Sequence, residues 1–138
     1  MQKSSSLSGV ISSRLIQGDL ALLGVRRVYE KRNPTEGTLI LVDRLWPRGL
    51  RKDTNQVDVW LKDVAPSNEL RKWFAHDPSK WEEFKARYWD ELKNNKKFYD
   101  LVETVKKDDV TFVYAAKDTE HNNAVALAEF VKKAAAKQ

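Results

Sequence analysis

The chain contains no cysteine among its 138 residues. Disulfides, thiolate nucleophiles and cysteine-based zinc or iron–sulfur centres are thereby excluded. Histidine is scarce too: His76 and His121 are the only two, too few for a histidine-built metal centre within one chain. No apolar run approaches the ~18 residues that a membrane-spanning helix needs. The N-terminus lacks the apolar core and small-residue cleavage site of a secretory signal. A cytoplasmic protein is expected, and the absence of cysteine suits a reducing compartment. The sequence holds no phosphate loop, dinucleotide fingerprint or adjacent nucleophile–base pair, and no internal repeat. No metal is assigned; Asp43 and Asp118 have the oxygen chemistry for magnesium, with thin support. The sequence does not identify a cofactor.

What is present is globular in character. Apolar residues make up 41% and charged residues 33% of the chain, and its length suits one ordinary domain. The net charge of +5 is unevenly spread. Residues 25–52 hold Arg26, Arg27, Lys31, Arg32, Arg44, Arg48, Arg51 and Lys52 against three acidic residues, while residues 53–138 are close to neutral. A local excess of arginine attracts phosphate or carboxylate. It is also what a solvated basic surface looks like.

Residues 1–24 begin Ser- and Gly-rich and read as an N-terminal extension, partly mobile. Residues 25–138 read as a single α/β domain. Val25 to Tyr29 alternates like a first strand. Asn33-Pro34 and Gly37 mark a turn. Thr38 to Val42 is a continuous branched apolar run, the pattern of a strand buried on both faces. Pro47 and Gly49 stop any strand beyond it.

Helices follow. Val57, Trp60, Leu61 and Val64 have helical spacing, so Val57–Val64 is expected to be a helix ended by Pro66. Ser67 is a good N-cap for a second, and Asp77-Pro78 starts a third, carrying Trp81, Phe84, Tyr88 and Leu92 to about Asn94. A fourth carries Phe98, Leu101, Val102 and Val105. Val110 to Ala115 is another buried-type strand, and a last helix bears Ala124, Leu127, Ala128 and Val131. Trp60, Trp73, Trp81 and Phe84 are expected in the core. Buried-type strands separated by helices predict a layered α/β fold: a small, mostly parallel sheet flanked by helices.

Ligands of open parallel sheets bind beyond the carboxyl ends of the strands. The two best strands end in polar loops: Asp43-Arg44 with Trp46 and Arg48 after the first, Lys117-Asp118 with His121-Asn122-Asn123 after the second. Parallel strands would bring these loops to one edge, near the N-terminus of the last helix, whose N–H groups favour an anion. Asp43, Lys117 and His121 are the candidates for proton transfer. Arg44, Trp46, Arg48, Gly49 and Asn122 are the candidates for ligand contact: a bidentate arginine beside a glycine that lets the backbone approach, and a stacking ring. His76, just before an N-cap aspartate, reads as structural.

These segments carry a resemblance. Leu41 to Gly49 (LVDRLWPRG), Leu70 to Pro78 (LRKWFAHDP), Trp81 to Leu92 (WEEFKARYWDEL) and Tyr114 to Ala124 (YAAKDTEHNNA), with Arg27 to Glu30, Trp60 to Lys62 and Ala65 to Ser67, resemble the YeaO-like branch of the family known as domain of unknown function 488 over about residues 25–132. The resemblance implies a compact bacterial or archaeal cytoplasmic protein and no established activity. Other branches are similar but carry a cysteine and a histidine near the last strand. That thiol chemistry does not transfer to a cysteine-free chain.

Three functions are compatible with this reading. One is a small enzyme or ligand-binding domain for a phosphorylated or nucleotide-like molecule, sited at the strand ends. The second is a nucleic-acid-binding or -processing protein using the basic 25–52 segment. The third is a protein-interaction module without catalysis. An anionic small molecule is the favoured partner over nucleic acid, with no membrane association.

Overall fold

The computed structural model describes residues 22–136, so most of the expected N-terminal extension lies outside the described residues. Four strands form one all-parallel sheet: β1 (Leu23–Arg27), β2 (Thr38–Leu41), β3 (Val59–Trp60) and β4 (Val110–Tyr114), in the order β1-β4-β2-β3. Leu23 and Gly24, grouped with the extension in the sequence reading, open β1. Thr38 lies opposite Val110 and Leu41 opposite Val113. The parallel pairing expected of the two apolar runs is therefore present. Every residue of β4, the last strand inserted and flanked on both sides, is buried.

Four helices accompany the sheet among the described residues: α1 (Asn68–Phe74), α2 (Trp81–Leu92), α3 (Lys96–Lys107) and α4 (Asn123–Ala136). The starts of α1 and α2 follow the polar residues seen in the sequence: Ser67 caps Leu70 N–H, and Asp77 caps Ser79 N–H ahead of α2. Asn95, which the sequence analysis did not single out, caps Lys97 N–H ahead of α3. Glu91 on α2 accepts both the N–H and the hydroxyl of Ser67, which ties the start of α1 to the end of α2.

The two sheet faces are covered differently. Leu23, Ile40, Val110, Phe112 and Tyr114 face the main core, built with all four helices. There Phe74 stacks on Phe84 at 4.3 Å, and the fully buried Tyr88 donates its hydroxyl to Val64 O. Val28, Leu39, Leu41 and Val113 face the other way, under Trp46, Leu50, Val57 and Trp60. The helices thus gather on one face, and the long segment between β2 and β3 covers the other.

That segment holds the main departure from expectation. Val57–Val64 is not a helix. Asp58 N–H donates to Leu39 O, Leu61 N–H to Leu41 O, and the Asp58 carboxylate takes Leu39 N–H at 2.8 Å. Pairing with the open edge of β2 satisfies this backbone, and such tertiary pairing outweighs a short helical period. A 3-10 turn at Lys62–Val64 is all that is helical. Trp60 consequently packs edge-on against Trp46 on the loop face, apart from Trp73 and Trp81, which border the main core and are only partly buried.

Candidate functional site

The chain leaves adjacent strands β2 and β4 toward opposite faces. After β2 it runs to the loop face with Trp46 and Leu50; after β4 it runs to the helical face as α4. Such divergence opens a crevice at the carboxyl edge of a parallel sheet. A cavity of about 760 Å³ lies there, bounded by Asp43 to Arg48 on one side and by Ala115 to Asp118 on the other.

Asp43 fastens the two diverging paths. Its Oδ2 accepts Ala115 N–H at 2.9 Å, and its Oδ1 accepts from Asn123 Nδ2 at 3.1 Å. Asn123 also donates to Val42 O. Burial pushes the Asp43 carboxyl above the usual carboxylate range, although these two donors and the positive charge of Arg71 and His76 pull it back. Burial penalises the ionised form more than the partners reward it.

Arg44, Arg48, Arg71 and Lys117 line the same cavity, with His76. Their freedom differs. Arg44 is tied to the chain before α1, donating to Pro66 O at 2.9 Å and Ala65 O at 3.1 Å. Arg48 is exposed; its carbonyl accepts the Tyr29 hydroxyl at 2.8 Å. Arg71, on α1, donates from Nη2 to Asn68, while its Nε is buried with no hydrogen-bond partner among the described residues. His76 follows the C-terminus of α1 with φ of +58°, directly after Ala75 at +47°. Two successive non-glycine residues in the left-handed region carry strain that a helix stop alone does not require.

The remaining residues singled out in the sequence fall in three groups. Trp46 lines the cavity and is half-buried, its indole N–H held by Leu50 O at 2.7 Å. Asn122 borders the cavity but is the N-cap of α4: Oδ1 takes Val125 N–H and Nδ2 donates to Asp118 O. Gly49 and His121 are not among the lining residues. Gly49 has φ of +80° and open space where a Cβ would stand. His121 packs T-shaped against Trp81, 5.4 Å between centroids, and its Nδ1 lies 3.0 Å from Asp118. Two backbone N–H groups and this imidazole hold the Asp118 carboxyl below its usual range.

Comparison with known proteins places this arrangement. Residues 22–138 match the profile described as the inactive DUF488-N3 subclade. The chain belongs to this subclade. It is 42% identical over 107 residues to an uncharacterised protein of Mycobacterium tuberculosis, covering 78% of this chain and 91% of that one. It is 38% identical over 108 residues to the uncharacterised protein YeaO of Escherichia coli, covering 78% of this chain and 94% of that one. No solved structure matches it significantly. No helix of this DUF488-N3 domain, among the described residues, is long and apolar enough to cross a membrane.

Arg71, His76, Tyr29 and Asn123 border the cavity without having been assigned to it from the sequence. Asn123 stood in the polar run after β4, so its place could have been found there. Arg71 carried no such signal: it lies one residue from the core-facing Leu70, and only the packing of α1 sets it opposite the strand ends.

Proposed function

We propose that this protein is a binding domain for a small phosphorylated molecule, held in the cavity at the carboxyl ends of β2 and β4. The observation that carries the reading is the cation set Arg44, Arg48, Arg71 and Lys117 on one cavity, where the Arg71 Nε is buried without an acceptor among the described residues. A buried unpaired N–H costs about 1–3 kcal/mol. A guanidinium turned to grip an oxyanion through Nε and Nη2 together recovers that cost and adds a bidentate contact. Binding without turnover is favoured by the description of the subclade as inactive and by the engagement of His121 outside the cavity lining.

A nucleic-acid surface is less favoured, because most of the basic residues of the 25–52 segment are engaged by carboxylates, carbonyls or rings of the chain itself. Arg26 pairs with Glu36, Arg32 with Asp58 and, at the surface, Arg51 with Asp53, while Arg27 holds backbone carbonyls. Lys52 sits over the Trp46 and Trp60 rings.

Calorimetric titration with inorganic phosphate tests the reading. Arg48→Ala is expected to weaken binding at least tenfold with an unchanged melting temperature, since its side chain has no hydrogen-bond or ion-pair partner among the described residues and a surface substitution costs under about 0.5 kcal/mol. Arg71→Lys keeps the charge and loses the fork, and is expected to bind several-fold more weakly. Phosphate binding by both variants equal to wild type overturns the proposal.

A further inference from the structure

The same cavity holds features that a bare oxyanion does not explain. Its volume of about 760 Å³ lies within the range of about 300–1,000 Å³ found for sites that enclose drug-sized ligands. A phosphate group fills only the space of a few waters, at about 30 Å³ each. Much of the wall is apolar: Leu45, Trp46, Pro47, Pro66, Phe74 and Phe84 line it. The wall also carries Asp43, a mostly buried carboxylate that a simple anion site would exclude, since like charges repel strongly away from water. Each Asp43 oxygen takes one donor from the protein, while a carboxylate accepts about four. Asp43 lines the cavity and therefore keeps acceptor capacity that a ligand donating hydrogen bonds can use.

Resting on the phosphate-binding reading above, we propose that the ligand is a ribonucleoside monophosphate: phosphate among Arg48, Arg71 and Lys117, ribose hydroxyls on Asp43, and base against the Trp46 side of the wall. Each part answers one feature. The cations take the phosphate. A carboxylate accepting from vicinal ribose hydroxyls is the chemistry by which acidic side chains read ribose. A planar base suits an aromatic wall, because every base has a face that stacks. Asp43 also discriminates: it opposes inorganic phosphate and favours a molecule whose anion is displaced from its hydroxyls.

The test is a calorimetric series on the wild-type protein with inorganic phosphate, the adenosine, guanosine, cytidine and uridine 5′-monophosphates, and the 2′,3′-dideoxy form of the tightest of them. At least one ribonucleotide is expected to bind tenfold or more tightly than phosphate, and its dideoxy form to lose fivefold or more. In Asp43→Asn the ribo and dideoxy forms are expected to bind alike, with phosphate binding no weaker than in wild type. Phosphate binding with no nucleotide advantage overturns this assignment and leaves the broader reading standing. Equal affinity of the ribo and dideoxy forms on the wild-type protein overturns the role of Asp43 without recourse to a variant. Failure of every compound, phosphate included, overturns both proposals.

Discussion

Asp43→Asn offers a test of the cavity's electrostatics that needs no ligand. The substitution keeps the shape of the side chain and removes its charge. In the wild type the carboxylate accepts Ala115 N–H and Asn123 Nδ2. An asparagine oxygen can serve one of these donors, and its amide NH₂ then meets the other, leaving an N–H unpaired at a cost of about 1–3 kcal/mol. Against that loss stands a gain, because burial raises the Asp43 carboxyl above its ordinary value of 3.8. A raised carboxyl binds its proton more tightly in the folded chain than in the unfolded one. Folding stability therefore falls as pH rises from about 3.8 through the folded value, by at most about 1.4 kcal/mol per pH unit, and is flat above it. The variant lacks this dependence, while all other carboxylates are common to both proteins. Urea unfolding at a series of pH values from about 3.5 to 7 gives the difference directly. The advantage of wild type over Asp43→Asn is expected to shrink as pH rises through that window and then hold constant. Asp43→Ala, which deprives both donors, should be less stable than Asp43→Asn by about 1–3 kcal/mol. An advantage of wild type over Asp43→Asn that grows with pH would mean that the fold stabilises the ionised carboxylate, and would refute the argument from burial.

Two further substitutions probe the frame around the cavity. Phe84 is 1% exposed and stacks on both Phe74 and Trp81. Phe84→Ala is expected to cost about 3–5 kcal/mol in chemical denaturation, whereas Trp81→Ala, at a partly buried ring, is expected to cost about 2 kcal/mol; equal losses would contradict the difference in burial. Gly37 has φ of +73°, and a Cβ there would stand 2.2 Å from Asp109 O. Gly37→Ala is expected to lose about 3 kcal/mol or more from backbone strain and collision, and a neutral result would show that the β1–β2 turn does not press against the start of β4.

The elements that could be read from the chain are those whose signals are local. The branched runs at 38–42 and 110–115 became β2 and β4 because both faces of each are covered, and Ser67 and Asp77 cap helical N–H groups wherever the fold places them. Val57–Val64 could not be read this way. Its apolar spacing fits a helix, but its backbone is claimed by β2, which lies nineteen positions earlier in the chain and is adjacent only in space. The same non-locality moved Trp60 to the loop face.

The position of the cavity was more legible than its chemistry, for a related reason. Two parallel strands whose outgoing chains diverge must leave a crevice at their ends, so locating β2 and β4 was nearly enough to locate the site. Charge is different. The surplus in residues 25–52 is real in sequence, yet Arg26, Arg32 and Arg51 meet carboxylates from the same stretch or its immediate continuation. Net charge along a chain counts these pairs as surplus wherever a window boundary separates the partners, as it does for Asp53 and Asp58. The cation with a buried unsatisfied donor, Arg71, comes instead from a helix in the near-neutral part of the chain. A binding site in such a fold is therefore better sought by asking which charges the structure leaves unpaired at the strand ends than by asking where the sequence is most basic.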